Sequence, residues 1–164
     1  MFQKKQLVAL DIGFGRCQGI DGLGNFVSHR SCVVKVSDPE LANYSDNTGY
    51  YLVGEDAVDF SDEQRSSTDT QDFESNIFRV LFLYTLSKLQ QIQQKAQKQL
   101  VNPDWLVVIG LPVEFYESLK GKHESWLNNQ VKKSFDSKPP FTINKIQIVE
   151  QPKGTVWSPK VLSY

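Results

Sequence analysis

The sequence predicts an α/β fold with a mixed β-sheet, and three observations carry that prediction. Short apolar runs bounded by glycine-rich turns fill residues 7–36. Two long stretches then repeat apolar residues at three- and four-residue spacing, around residues 73–100 and 113–133. Single strand-like runs stand between and after them, at 105–109 and 141–149. The order strand, strand, strand, helix, strand, helix, strand is that of an α/β domain.

The first strand is Leu7-Val8-Ala9-Leu10, which runs through Asp11 and Ile12 into a tight Gly13-Phe14-Gly15 turn. A second strand follows with Cys17 and Ile20 as apolar positions, ending at Gly22, Gly24 and Asn25. The pair is a hairpin with an acid at its mouth. Residues 26–36 suggest a third strand interrupted by Ser28-His29-Arg30-Ser31. Residues 37–49 are rich in turn formers and read as a loop, followed by a short strand at Tyr50-Tyr51-Leu52-Val53. Gly54 to Val58 reads as a turn into a brief helix and Ser61 to Gln71 as a polar stretch, so residues 33–72 are a candidate inserted lobe.

A helix is expected from Asp72 to Leu100, capped by Thr68 with Gln71 or by Thr70 near Glu74. Phe78, Phe82, Leu83 and Leu86 widen its apolar face at the start, whereas its second half is rich in Gln and Lys. Its beginning is therefore buried and its end solvated. Asn102-Pro103 ends it. The continuous apolar run Trp105 to Ile109 reads as a strand covered on both faces. Pro112 is placed to open a second helix, marked by Val113, Tyr116, Leu119, His123, Trp126, Leu127 and Val131. Lys138-Pro139-Pro140 breaks the chain, and Phe141 to Val149 alternates as the last strand.

Composition removes several function classes. With 40% hydrophobic and 12% aromatic residues, the 164-residue chain can build a core and is not a disordered one. Eighteen Lys and Arg against nineteen Asp and Glu give a net charge of -1, so no global excess would hold nucleic acid or an anionic membrane. No apolar run approaches the roughly 20 residues of a membrane-spanning helix. The N-terminus lacks the apolar core of a secretory signal, which makes the cytoplasm the expected location. Cys17 and Cys32 form no CxxC, and His29 and His123 are far apart, so neither a disulfide framework nor a structural zinc site is supported. Cys17 reads as a small buried strand residue, His29 as a loop residue, and His123 as a packed or hydrogen-bonded residue at the core edge. Lys120, Lys122, Lys132 and Lys133 read as a solvated helix face. Trp105 and Trp126 are assigned to the core; Trp157 is the third tryptophan.

The chemistry lies where strands end. Asp11-Ile12-Gly13-Phe14-Gly15 sets a carboxylate beside two glycines that can bring backbone N–H groups close to an anion. A carboxylate repels phosphate, so its role beside a phosphate chain would be to hold Mg²⁺, through water. The same five residues also describe a plain tight turn. Neither GxGxxG nor GxxxxGK[ST] occurs, which excludes those two nucleotide-binding classes. Glu150 and Gln151, read as residues alone, are solvated polar groups at a strand end.

Four segments together resemble a known family. Leu7 to Gly15 resembles the first phosphate loop of the actin/Hsp70/sugar-kinase superfamily. Tyr51-Leu52-Val53-Gly54-Glu55-Asp56-Ala57 resembles its VGE.A stretch, and Val108-Ile109-Gly110-Leu111-Pro112-Val113-Glu114-Phe115-Tyr116 the GLPV..Y strand-to-helix junction. Ile148 to Gly154 is similar to the PQP.G segment. In this order they resemble bacterial and archaeal actin-like proteins of the ParM/StbA plasmid-segregation type.

That resemblance implies a ribonuclease H-like (actin-like) mixed β-sheet flanked by helices, with the core at about 1–32 and 73–164 and the small lobe at about 33–72. It implies an N-terminal half that shares ATP and Mg²⁺ with a second half, for which this chain has no counterpart. Asp11 would be the Mg²⁺-side carboxylate, and Gly13, Phe14, Gly15, Arg16, Cys17 and Gln18 the phosphate-facing loop. Glu150 or Gln151 would orient the attacking water. The implied partners are other actin-like subunits in a filament and a DNA-binding adaptor, with no direct contact to nucleic acid or membrane. Many family members carry Lys where this chain has Gln18, and Arg16 is expected to turn to the opposite face of the strand.

Three functions follow as expectations. The first is the N-terminal domain of an ATP-binding, filament-forming protein for plasmid partition, an ATPase only with a complementary half. The second is a stand-alone interaction module that does not hydrolyse ATP, favoured by Gln18 and by the ending at Tyr164. The third is a metal-dependent nuclease on the same core, needing Asp21, Asp104 or Glu150 beside Asp11.

Overall fold

The computed structural model describes residues 6–60, 66–67, 73–97, 103–135 and 140–151. Strands β1 (Gln6–Ile12), β2 (Arg16–Asp21) and β3 (Phe26–Arg30) form an antiparallel meander. Strands β8 (Asp104–Pro112) and β9 (Thr142–Gln151) extend the same sheet in parallel, giving the order β3-β2-β1-β8-β9. The expected mixed α/β sheet is borne out. Strands β4 (Cys32–Val36), β5 (Tyr44–Asp46), β6 (Gly49–Val53) and β7 (Ser66–Ser67) make a second sheet, ordered β5-β6-β4-β7.

The third strand expected at 26–36 is two strands in different sheets. The chain changes sheet at Ser31, whose N–H donates to the Gly15 carbonyl and whose hydroxyl donates to the Gly13 carbonyl. The hairpin turn thus takes the hydrogen bonds that would have continued β3. Residues 37–49, expected as loop, contain β5, which pairs with β6 from Tyr44↔Tyr51 to Asp46↔Gly49. Gly54–Ala57 forms the brief helix as one 3-10 turn, and Gly54, at φ 81, packs its Cα side against the His29 ring.

Helix α1 (Asn76–Gln97) starts later than expected, and the Ser75 hydroxyl accepts the Phe78 N–H at its first turn. Thr68, Thr70 and Gln71, considered as caps, lie outside the described residues, as does the end of the helix at 98–100. The step from burial to solvation holds: Phe78 to Leu86 is buried throughout, whereas Lys95 to Gln97 is exposed. Helix α2 (Val113–Ser134) follows Pro112, which has no N–H to leave unpaired at a helix start. Lys120, Lys122, Lys132 and Lys133 are exposed along it.

Both helices pack on one face of the large sheet, where Val8, Leu10, Ile12, Cys17, Trp105, Val107, Ile109 and Leu111 join one core. Gly19 marks the close approach of α1. A Cβ there would stand 2.9 Å from Leu10 Cδ2 and from Thr85 Cγ2. Residues 105–109 are therefore not covered on both faces, because burial alternates strictly along β8 and Leu106, Val108 and Gly110 stay partly open. Trp105 stacks on Phe141 at 5.3 Å between ring centroids, and Trp126 lies partly buried against His123; Trp157 is outside the described residues.

Three buried polar residues hold the layers together. His29 is no loop residue: it lies in β3, with Nε2 2.9 Å from Thr85 Oγ1 of α1 and Nδ1 2.9 Å from the Arg30 carbonyl. Among the described residues His123 makes no side-chain hydrogen bond; it stacks on Trp126 at 5.6 Å, and burial lowers its pKa to about 4. Arg79 sits inside the apolar run of α1 and is 2% exposed. Its guanidinium donates to Asp46, Thr48 and Tyr51 of the small sheet, to Asn76, and to Ser134 at the end of α2. The Asn47 N–H adds a bond to the Ser134 carbonyl, so the β5–β6 turn caps α2.

Candidate functional site

The face of the large sheet on which no helix packs among the described residues carries the residues singled out by chemistry. Alternation sends Val8, Leu10 and Ile12 towards the helices and Ala9 and Asp11 to the other side. Asp11 directly opposes Gln18 across the hairpin, and the Gln151 side chain reaches over from the end of β9, with its Nε2 3.4 Å from Asp11 Oδ1. Asp11, Pro112 and Gln151 all stand at the carboxyl ends of parallel strands, where open α/β sheets bind ligands. A cavity of about 490 Å³ runs along this face. Asp11, Gln18, Glu150 and Gln151 are its polar lining residues, and Ala9, Ile20, Phe26, Val108 and Val149 line it with apolar surface.

The hairpin turn is built by Gly13. Its N–H donates to the Arg16 carbonyl at 3.1 Å, and a Cβ at that position would stand 2.9 Å from the same oxygen. Gly15 is different, since nothing lies within 4 Å of where its Cβ would be, and Phe14 beside it is exposed. Cys17 is turned into the core, with Sγ 3.2 Å from Ser31 Oγ. Burial pushes its thiol up to about 12, so only its backbone can face a ligand.

Arg16 does not turn to the opposite face from Gln18. Residues two apart in a strand share a face, and Arg16 lies on the Gln18 side. There its Nε donates to Ser28 Oγ at 3.0 Å and its Nη2 to Glu55 Oε1 at 3.1 Å. Of the two strand-end candidates, Gln151 reaches Asp11, whereas Glu150 follows the alternation of Ile146 and Ile148 and is exposed.

Burial raises the pKa of Asp11 and the Gln151 hydrogen bond lowers it, with burial prevailing. No Lys or Arg among the described residues neutralises that carboxylate. Such a desolvated, uncompensated charge fits a cation beside it. Among the described residues no three His, Cys, Asp or Glu side chains converge as a metal cage. One carboxylate suits Mg²⁺, which keeps much of its water and takes its other ligands from phosphate.

Of the acids that a nuclease would need, Asp21 and Asp104 stand away from Asp11, whereas Glu150 lines the same cavity. Asp21 opposes Val8, near the start of β1, and accepts hydrogen bonds from Leu23, Asn25 and Gln93. Asp104 opens β8 opposite Thr142, at the far end from Asp11. The buried anchors Arg79 and His29 escaped sequence reasoning, as did the role of Glu55 as partner to Arg16. Only the unusual presence of Arg79 within an apolar helical run could have drawn attention to it.

Residues 9–154 match the family described as "Actin like proteins N terminal domain". Among solved structures, the chain superposes on ParM from a 15-stranded filament of Clostridium botulinum with a TM-score of 0.65 at 21% identity. That match covers 93% of this chain and 49% of the other. The apo psk41 ParM protein gives 0.60 at 14% identity, covering 90% and 50%. AlfA, from a filament of B. subtilis plasmid pLS32, gives 0.60 at 15%, covering 89% and 56%. The chain thus spans about half the length of these structures, and at such identities the likeness speaks to fold alone. No curated protein matches it. The family match over most of the chain, on a five-stranded mixed sheet whose first hairpin carries Asp11, makes this chain a member of the actin-like protein N-terminal domain family.

Proposed function

We propose that this chain is the nucleotide-facing N-terminal half of an actin-like, ATP-binding, filament-forming protein of plasmid partition, working in the cytoplasm. The observation that carries the reading is the juxtaposition of Asp11 and Gln151 at the carboxyl ends of parallel strands, with Gln18 opposite Asp11 across the hairpin and the Gly13–Gly15 turn beside them. In this reading the large sheet and its two helices are the core and residues 33–72 the small lobe. A complementary half forms the other wall of the cleft, and hydrolysis requires it.

Asp11 would hold Mg²⁺ through water, and when bound the ion would offset phosphate charge. Gly13 keeps the hairpin turn tight enough for the 13–18 backbone to lie along the phosphates. Gln151, with its amide nitrogen directed at Asp11, has its oxygen as acceptor for a water positioned for attack. Gly110 leaves room for that side chain, since a Cβ there would already touch Gln151 Cβ at 3.4 Å.

Gln18 favours a second reading for the chain by itself, because the residue opposite Asp11 brings no cation to the phosphates. Alone, it would be an interaction module that docks on actin-like subunits or on a DNA-binding adaptor without hydrolysing ATP. Titration with Mg·ATP, followed by calorimetry and amide NMR, tests both readings. The expected result is weak binding, with shifts at residues 11–18 and 150–151 and no phosphate release. Micromolar affinity or steady phosphate release would overturn the incompleteness of the half-site. No shift at millimolar Mg·ATP would overturn the nucleotide reading.

A further inference from the structure

We propose that Arg16 and Arg30 form an anion-binding pair at the mouth of the β1–β2 hairpin, taking the terminal phosphoryl groups of a polyphosphate, and that Arg16 exchanges Glu55 for that anion. The proposal rests on the nucleotide reading of the hairpin and adds a residue, Arg30, and a coupling to the small sheet.

The register of β2 and β3 sets Arg16 directly opposite Arg30. Directly opposed residues emerge on one face with Cβ atoms about 5 Å apart, and like charges so placed destabilise a sheet. That face also carries Gln18 and Ser28, and Asp11 one strand further on. Arg16 holds the carboxylate of Glu55. Arg30 is exposed and has no side-chain hydrogen bond or ion pair among those residues. One positive charge therefore stands uncompensated beside the Gly13–Gly15 turn. Two guanidinium groups at this spacing suit phosphoryl oxygens, which accept from both in bidentate fashion.

The Arg16–Glu55 pair is easily exchanged. Its side chains are 47% and 59% exposed, and ion pairs of that exposure contribute little to stability. A phosphoryl group carries more charge than a carboxylate and faces both arginines. Glu55 sits in the 3-10 turn that follows β6 and abuts His29, so losing Arg16 removes one tie between the hairpin and the small sheet. The buried Arg79 cluster, which joins both helices to the small sheet, is untouched by that loss. Occupation of the hairpin mouth is thereby passed to the small sheet.

Inorganic tripolyphosphate, with ATP in parallel, is the probe. Tripolyphosphate is expected to move the Nε–Hε resonances of both Arg16 and Arg30 in ¹⁵N-correlated spectra. Arg16→Gln and Arg30→Gln should each weaken binding about tenfold or more. Glu55→Gln should tighten it severalfold, and that gain should vanish in an Arg16→Gln background. Glu117→Gln, an exposed acid on α2, controls for net charge and should change nothing. An unaltered affinity in Arg30→Gln, or a Glu55→Gln gain that survives without Arg16, overturns the proposal. If Mg·ATP shifts residues 11–18 while tripolyphosphate leaves both arginine resonances in place, the arginine pair falls and the nucleotide reading stands. If neither ligand shifts anything, both fall.

Discussion

Replacing Arg79 by methionine keeps most of the side-chain volume and removes the charge, and the structure sets the size of the consequence. Arg79 and Asp46 are 2% and 0% exposed at their side chains, so the substitution leaves a buried carboxylate without its cation. Burial by itself raises the pKa of Asp46, but hydrogen bonds from Thr48 and Arg79 outweigh it and hold the carboxyl below its ordinary value. Breaking a buried pair from one side costs about 3–5 kcal/mol. Thr48, Tyr51, Asn76 and Ser134 lose a donor in the same change.

For a chain of this size each kcal/mol moves the melting temperature by roughly 2–4 °C, so Arg79→Met should melt roughly 6–20 °C lower. Urea unfolding followed by circular dichroism measures the free energy directly. A second variant separates charge from packing: adding Asp46→Leu to Arg79→Met should recover part of the loss, because no unpaired charge is then left in the core. The pH dependence has a definite sign. With Arg79 present, the depressed Asp46 contributes stability above its ordinary unfolded value of 3.8, and that contribution is lost as pH falls through its folded value. An Arg79→Met protein within about 1 kcal/mol of wild type would refute the reasoning, since an exposed pair behaves in that way.

Two further outcomes are expected. His123 is held neutral, with a folded pKa of about 4 against an ordinary 6.5, so the unfolded chain takes up the proton first as pH falls. Stability should drop by about 1.4 kcal/mol per pH unit across that window, and His123→Phe should flatten the slope in denaturation series between pH 7 and 4; an identical slope in the variant would remove His123 as its source. Asp11→Asn should leave the thermal stability near pH 7 unchanged or higher, because burial disfavours the charge it removes, while abolishing the Mg²⁺-dependent part of ATP binding. A marked fall in melting temperature would show that Asp11 serves the fold and not a ligand.

Local periodicity made most of the architecture legible. The two-residue alternation of β1, β2 and β9, the three- and four-residue apolar spacing of α1 and α2, and the turn residues between them are recorded within a few neighbours. The Gly13 turn behind Asp11 was legible for the same reason, since its steric demand lies within four residues. What was missed depends on partners far along the chain. Ser31 divides one apparent strand between two sheets because the Gly13–Gly15 turn captures its hydrogen bonds. Arg79 is tolerated in an apolar run because Asp46 and Ser134, 33 and 55 residues away, meet it there.

By itself, then, the sequence determined the order and type of the main elements and set a lone carboxylate at a hairpin mouth, because those follow from short-range pattern. Only the tertiary structure decided that Gln151 and not Glu150 faces Asp11. A strand sends adjacent residues to opposite faces, and it is the pairing of β9 with β8 that fixes which residue is turned to the cleft. The same pairing rule put Arg16 on the Gln18 side and opposite Arg30.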